Sequence, residues 1–380
     1  MDVCILSMQR VQNFGSLLQS YALKRMLEER GCHVSFIDIV PNEEDQKLLE
    51  GSSSLVFHEG EPGGSIWSKL KKLDRYTLNR LRVKKLSKIQ EQKFEDFRRD
   101  FLGINQNAQN DFDLCVIGSD EVFNCMSKTG WGFTSQLFGN VPQAKRVMFY
   151  AASCGSTKLE HLPPRVAQRI SETFRNVSAF SVRDKNTAQF VAGLANIIPE
   201  EHLDPVAVAN FSAELSTVEL PKVCSEPYCV VYSYYNRISD PDEICQIQSF
   251  CRQRGLRILA VGAPQKWIRD YLVLDPFEML NVFANADFVI TDTFHGTIFS
   301  AKYAKRFAVL VRESNSNKLE DLVQRLSLQA HRITDIFELE KAYGVEKQER
   351  TLKVFLAEQQ QKTISYLREN VSGEHNGKNQ

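Results

Sequence analysis

The sequence predicts an α/β protein built from two parallel-sheet units. Short apolar runs of strand length alternate with longer segments whose apolar residues return at helical spacing. The alternation occurs twice, on either side of a polar stretch at 211–226 that reads as a linker. At 380 residues the chain also exceeds the size at which one core keeps growing.

Taken in order, 3–8 reads as a strand and 10–15 as a loop. Ser16 is placed to cap a helix carrying Leu18, Tyr21, Ala22 and Met26. Gly31 ends that helix, and 34–40 is the next strand. A β-α-β unit of this kind implies parallel strands. A charged helix at 90–101 precedes a strand at 113–117. Strands follow at 146–151, 179–182 and 197–199, with a helix at 165–175. The second series has strands at 229–234, 257–261, 287–291 and 307–311. Helices are expected at 241–254, 276–284, 296–305 and 318–326, with a terminal helix at 348–368. The pattern implies two Rossmann-like domains facing a cleft, at 1–210 and 225–335. A C-terminal helix within 346–370 and a polar, disordered tail at 372–380 complete the chain.

Composition narrows the function. Forty-seven basic residues balance 47 acidic ones, which argues against a nucleic-acid binder. Nine scattered cysteines form neither a Cys-x-x-Cys pair nor a zinc spacing, so free thiols, a reducing cytoplasm and no metal site are expected. No signal peptide or membrane span is evident. Residues 65–88 hold nine Lys or Arg against Asp74, with Trp67 among apolar residues at roughly helical spacing. Such a basic helix can lie on an anionic membrane surface, placing the protein at the inner face of the membrane. It can equally be a solvated helix packed on its own domain.

In parallel sheets ligands bind beyond the carboxyl ends of strands, so the candidate residues lie there. His295 follows a strand and opens a helix, where unpaired N–H groups and the helix dipole attract anions. A histidine at that point can move a proton to or from an anionic substrate, with Thr293, Gly296 and Thr297 beside it. Arg183, at another strand end, can fork onto a carboxylate or phosphate, and Lys318 offers a second cation. Asn13 and Gly15 sit in the first βα loop, where glycine admits a close approach. That loop lacks Gly-x-Gly-x-x-Gly, so a dinucleotide site is unsupported. Ser119, Asp120, Glu121 and Asn124 offer partners for sugar hydroxyls, and Tyr150 and Ser153 could add hydroxyls to the cleft.

Together these segments resemble the polysaccharide pyruvyl transferase family. The resemblance rests on Asn13-Phe-Gly15, Leu18-Gln-Ser-Tyr-Ala-Leu23, Val116-Ile-Gly-Ser-Asp120-Glu-Val-Phe-Asn124 and Phe149-Tyr-Ala-Ala-Ser153. It continues through Ser181-Val-Arg183-Asp, Leu203-Asp-Pro205 and Thr291-Asp-Thr-Phe-His295-Gly. It implies a GT-B-like arrangement with an interdomain cleft. It also implies bacterial polysaccharide biosynthesis, of exopolysaccharide, capsule or cell wall. The implied reaction moves the enolpyruvate unit of phosphoenolpyruvate, the donor substrate, onto two hydroxyls of a sugar. The acceptor is a polysaccharide or its lipid-linked oligosaccharide precursor, the product is a pyruvate ketal, and no further cofactor takes part. His295 and Arg183 become donor-site residues, with Asp120 orienting a hydroxyl. Family members commonly carry Gln and Trp where Glu121 and Phe123 stand. Some carry Arg-Leu where this chain has Thr293-Phe294, and Lys318 or Arg183 would replace that arginine's phosphate contact. Two other readings stay open: a GT-B glycosyltransferase using a nucleotide-sugar, and a non-catalytic glycan- or anion-binding relative. The pyruvyl-transfer reading expects an electropositive pocket assembled by His295, Arg183 and a helix tip.

Overall fold

The computed structural model describes residues 1–49, 69–104, 111–126 and 131–371. The first sheet contains β1 (Asp2–Leu6), β2 (His33–Phe36), β3 (Leu114–Asp120), β4 (Val147–Ala152), β5 (Val177–Ala179), β6 (Ser181–Val182) and β7 (Glu200–Glu201). Its order is β2-β1-β3-β4-β6-β7, with β5 also on β4. The second contains β8 (Tyr228–Ser233), β9 (Arg257–Gly262), β10 (Asp270–Tyr271), β11 (Phe288–Thr291), β12 (Phe307–Leu310) and β13 (Arg332–Ile333), in the order β10-β9-β8-β11-β12-β13. Every ladder is parallel. The central strands β3, β4 and β8 are apolar on both faces and almost wholly buried, as parallel sheets covered by helices require.

The helices of the first unit are α1 (Phe14–Glu28), α2 (Glu43–Lys47), α3 (Lys69–Phe97), α4 (Pro164–Phe174), α5 (Lys185–Ala195), α6 (Pro205–Val208) and α7 (Ser212–Leu215). Those that follow are α8 (Pro241–Gln253), α9 (Pro276–Asn285), α10 (Phe294–Tyr303), α11 (Ser316–Arg325), α12 (Leu339–Tyr343) and α13 (Glu349–Val371). One apolar cluster lies between the two sheets and joins α1, α9, α10 and α13. Two further clusters cover the outer faces. The helix α13 returns to the first sheet, where the Tyr366 hydroxyl donates to the Phe149 carbonyl at 2.8 Å and Arg146 donates to the carbonyls of Asn370 and Val371. Two parallel sheets with helices on both faces, meeting across a cleft, make the GT-B-like arrangement expected.

Several local expectations change. Asn13, not Ser16, caps α1: its side chain accepts from the Ser16 N–H. The stretch 211–226 contains α7 and a single 3-10 turn. Asp184 caps the unforeseen α5, accepting from the Thr187 N–H. Residues 65–68 of the basic stretch and the tail 372–380 lie outside the described residues, as do the side chains of 69–81.

Candidate active site

Each sheet has a place where the strand order reverses, and such switch points leave a crevice at the carboxyl ends of two strands. In the first sheet it lies between β1 and β3, in the second between β8 and β11. Both open into one cleft of about 390 Å³, lined by Asn13, Asp120, Glu121 and Arg183 from the first unit and by Tyr234, His295 and Lys318 from the second.

His295 is fixed from three sides. Thr293 caps α10 through its Oγ1, which accepts the Gly296 N–H at 3.0 Å, so the imidazole starts from a rigid first turn. The ring packs against Phe294 and Phe299. Its opposite edge lies on α1: a Cβ placed on Gly15 would stand 2.2 Å from His295 Nδ1. Gly15 was expected to let a ligand approach; the group it admits is the imidazole itself.

Arg183 is 3% exposed and lies between acids. Its Nη1 donates to Asp204 Oδ2 at 3.1 Å and stands 3.7 Å from Asp120 Oδ1, while its guanidinium covers the Phe294 ring at 4.0 Å. His295 Nε2 is 3.4 Å from the same Asp204 oxygen, so the imidazole and guanidinium meet on one carboxylate. Burial disfavours the Asp204 carboxylate, but His295 and Arg183 outweigh it and hold that carboxyl well below its ordinary range. Arg183 is held above its ordinary value: burial opposes its charge, and Asp204 and Asp120 more than offset that.

Asp120 adopts φ +75°, an uncommon conformation for a residue other than glycine, and turns its carboxylate toward α1. Oδ2 accepts from Ser16 Oγ at 2.7 Å and Oδ1 from the Glu121 N–H. Glu121 accepts from Asn124 at 2.7 Å and pairs across the cleft with Lys318 Nζ at 3.0 Å. Burial opposes the Glu121 carboxylate, yet Lys318 and Arg183 hold its carboxyl below the usual range.

The electropositive pocket is therefore corrected. Its two permanent cations, Arg183 and Lys318, face three carboxylates, Asp204, Asp120 and Glu121. Other expected ligand contacts are also turned inward. Ser119 Oγ donates to Asp204 Oδ2 at 3.0 Å. The Tyr150 hydroxyl is buried against Thr363 and the Leu203 carbonyl. Ser153 Oγ donates to Asp184 and accepts from the Gly155 N–H. Gly296 and Thr297 lie beneath the cleft; a Cβ on Gly296 would meet Thr291 Oγ1 at 2.1 Å, and Thr297 Oγ1 donates to the Thr293 carbonyl. The residue that sequence reasoning left without a role is Asp204. Its signal was present, since an Asp-Pro pair opens a helix with a cap, and Asp204 does cap α6.

A family model described as polysaccharide pyruvyl transferase matches residues 13–314, which hold the cleft-lining residues named above except Lys318. The chain belongs to the polysaccharide pyruvyl transferase family. None of the curated proteins matches it. Similar solved structures include trehalose-6-phosphate synthase OtsA, at 10% identity over 98% of each chain with a TM-score of 0.49. UDP-GlcNAc 2-epimerase from Neisseria meningitidis bound to UDP-GlcNAc is similar at 9% identity over 98% of this chain and 100% of that one, TM-score 0.45. The UDP-GlcNAc 2-epimerase from Methanocaldococcus jannaschii is similar at 13% identity over 93% and 99%, TM-score 0.45. Among the described residues of this pyruvyl transferase family chain, no helix is long and apolar enough to cross a membrane. Nor does any group of three or more His, Cys, Asp or Glu side chains offer a metal site.

Proposed function

We propose that the protein is a ketal-forming pyruvyltransferase. It moves the enolpyruvate unit of phosphoenolpyruvate onto two hydroxyls of a sugar in a polysaccharide or its lipid-linked precursor. The reading is carried by one observation: in a chain of this family, His295 and Arg183 converge within 3.4 Å of a single carboxylate oxygen at the floor of a cleft between two switch points.

The chemistry needs a proton donor for the methylene carbon, cations for carboxylate and phosphate, and acceptors for two hydroxyl protons. His295 gives a proton to the methylene carbon, which becomes a methyl group and leaves C2 electrophilic. One sugar hydroxyl attacks C2, and its proton returns to the imidazole. The C2–O bond to phosphate then breaks, and the second hydroxyl closes the ring while its proton goes to the departing phosphate. Sugar and phosphoenolpyruvate thus become ketal and hydrogen phosphate.

In this reading Lys318 and Arg183 bind donor oxygens. Lys318 gives up Glu121 to do so, while Arg183 acts from the floor of the cleft that it lines. Asp120 and Glu121, with Asn13 and Asn124, receive the sugar hydroxyls. The first unit serves the acceptor, and the second, with Arg183 reaching in from the first, serves the donor. The protein works in the cytoplasm, and the basic stretch 65–88 brings it to the membrane surface when the acceptor is lipid-linked.

The deciding experiment measures phosphate release from phosphoenolpyruvate over galactose, glucose, mannose and N-acetylhexosamine acceptors, with the ketal sought in the product. Release that depends on one acceptor supports the reading. Release of a nucleotide from a nucleotide-sugar instead, or tight phosphoenolpyruvate binding with no turnover on any acceptor, removes it.

A further inference from the structure

Asp204 enters the cleft floor from the first unit and is 1% exposed. Its Oδ1 accepts the Val206 N–H at 3.0 Å, which makes it the cap of α6. Its Oδ2 accepts from Ser119 Oγ at 3.0 Å and from Arg183 Nη1 at 3.1 Å, all within the same unit. The remaining neighbour of Oδ2 is His295 Nε2 at 3.4 Å, which comes from the second unit. That nitrogen is buried and has no hydrogen-bond partner among the described residues, so Asp204 is the group it can address. The other nitrogen, Nδ1, lies on the edge against Gly15, and His295 itself lines the cleft.

We propose that Asp204 is a positioning residue for His295. Its carboxylate accepts Nε2–H across the two units, and this leaves Nδ1 as the nitrogen that exchanges a proton with substrate. In a neutral imidazole one nitrogen carries the proton and the other accepts, and the partner of the first decides which. The imidazole is thereby oriented only when the units stand together as they do here. The catalytic consequence rests on the pyruvyl-transfer reading; the tautomer rests on the geometry alone.

The same carboxylate also restrains Arg183. A guanidinium already paired with a buried acid is less available to an incoming anion. Asp204 therefore performs two opposed tasks: it orients the proton donor and it holds back a donor-binding cation. An Asp204→Asn variant keeps the shape and removes the charge. Turnover should fall by about 10²–10⁴-fold, the range that general acid–base catalysis contributes, with its upper end seen when a buried carboxylate behind a catalytic imidazole is neutralised. The phosphoenolpyruvate Kd should stay unchanged or tighten, because Arg183 is released. A merely structural Asp204 would weaken both.

The test has two arms. In wild-type protein with ¹⁵N-labelled imidazoles, the His295 signals are assigned by their loss in His295→Gln, among seven histidines. The expected neutral form carries its proton on Nε2, and Asp204→Asn should shift that balance toward Nδ1–H. An Nδ1–H form in the wild type overturns the proposal. So does an Asp204→Asn variant whose turnover stays within threefold of wild type, or whose Kd weakens more than tenfold together with turnover. The wild-type spectrum needs neither a folded variant nor substrate. If phosphoenolpyruvate is never turned over, the functional reading fails while the spectrum still decides the tautomer.

Discussion

Asp204 and Glu121 are both carboxylates of the first unit that face a basic side chain of the second, and they differ in depth. Asp204 is sealed beneath His295 and Arg183, and its carboxyl is held far into the ionised range. Glu121 and Lys318 each keep 26% of their side-chain surface open, at the rim of the same cleft. Burial decides what such a pair can do. Deep in the floor, every donor must be matched and the geometry is fixed. At the rim, water can replace either partner, so a ligand can as well. The floor thus serves as scaffold for the proton donor, and the rim pair is the part that substrate can open.

The floor should fail hardest. His295→Gln removes the proton donor while leaving a polar group on α10, and turnover should fall by about 10²–10⁴-fold with the fold retained. Steady-state phosphate release and circular dichroism check this, and near-normal turnover would take His295 out of the acid role. Arg183→Met strands the Asp204 charge in the interior and should cost about 3–5 kcal/mol of stability, read from a denaturant midpoint. A loss below about 1 kcal/mol would mean that the floor behaves like the rim.

Acid titration tests the same contrast by another route. Burial, with the charge of Lys362 adding to it, pushes His202 down to about 4. A folded value below the unfolded one gives stability that is complete above about pH 6.5 and is lost as pH falls toward 4, on the order of 3 kcal/mol. Asp204 is depressed instead, so its contribution persists down to about pH 3.9 and is lost only below that. Unfolding free energies between pH 6.5 and 4 should therefore slope with His202, and His202→Gln should flatten them. An unchanged slope in that variant would move the acid-sensitive group elsewhere. The rim should respond least. Lys318→Met is expected to change stability by less than about 1 kcal/mol, yet weaken phosphoenolpyruvate binding about tenfold. Calorimetry separates the two, and a large stability loss would make the rim pair a second scaffold.

Much of this site was legible as strand ends. His295 after an apolar run, and Asp120 to Asn124 after another, could be placed beyond the carboxyl ends of strands because β-α-β periodicity fixes strand direction, while the strand order that makes these ends switch points came from the fold. The direction of individual hydroxyls could not. Ala151 adopts φ +46° inside β4, which upsets simple alternation, and Tyr150 and Ser153 turn into the interior on either side of it. Both faces of that strand are apolar, so no pattern marked the change. Ser119 and Gly15 were found in the right loops with the wrong partners, because their neighbours, Asp204 and His295, lie far along the chain.

By itself the sequence determined most of the elements, their parallel direction, the division into two units and the family resemblance, because hydrophobic period and β-α-β alternation are local signals. Only the tertiary structure decided which charges meet. Arg183 had Asp184 beside it in the chain, yet its partner is Asp204, and His295 reaches that same oxygen from the other unit. Charge pairing depends on distances between segments that no period relates. For that reason a pocket expected to be electropositive proved to hold more carboxylates than permanent cations.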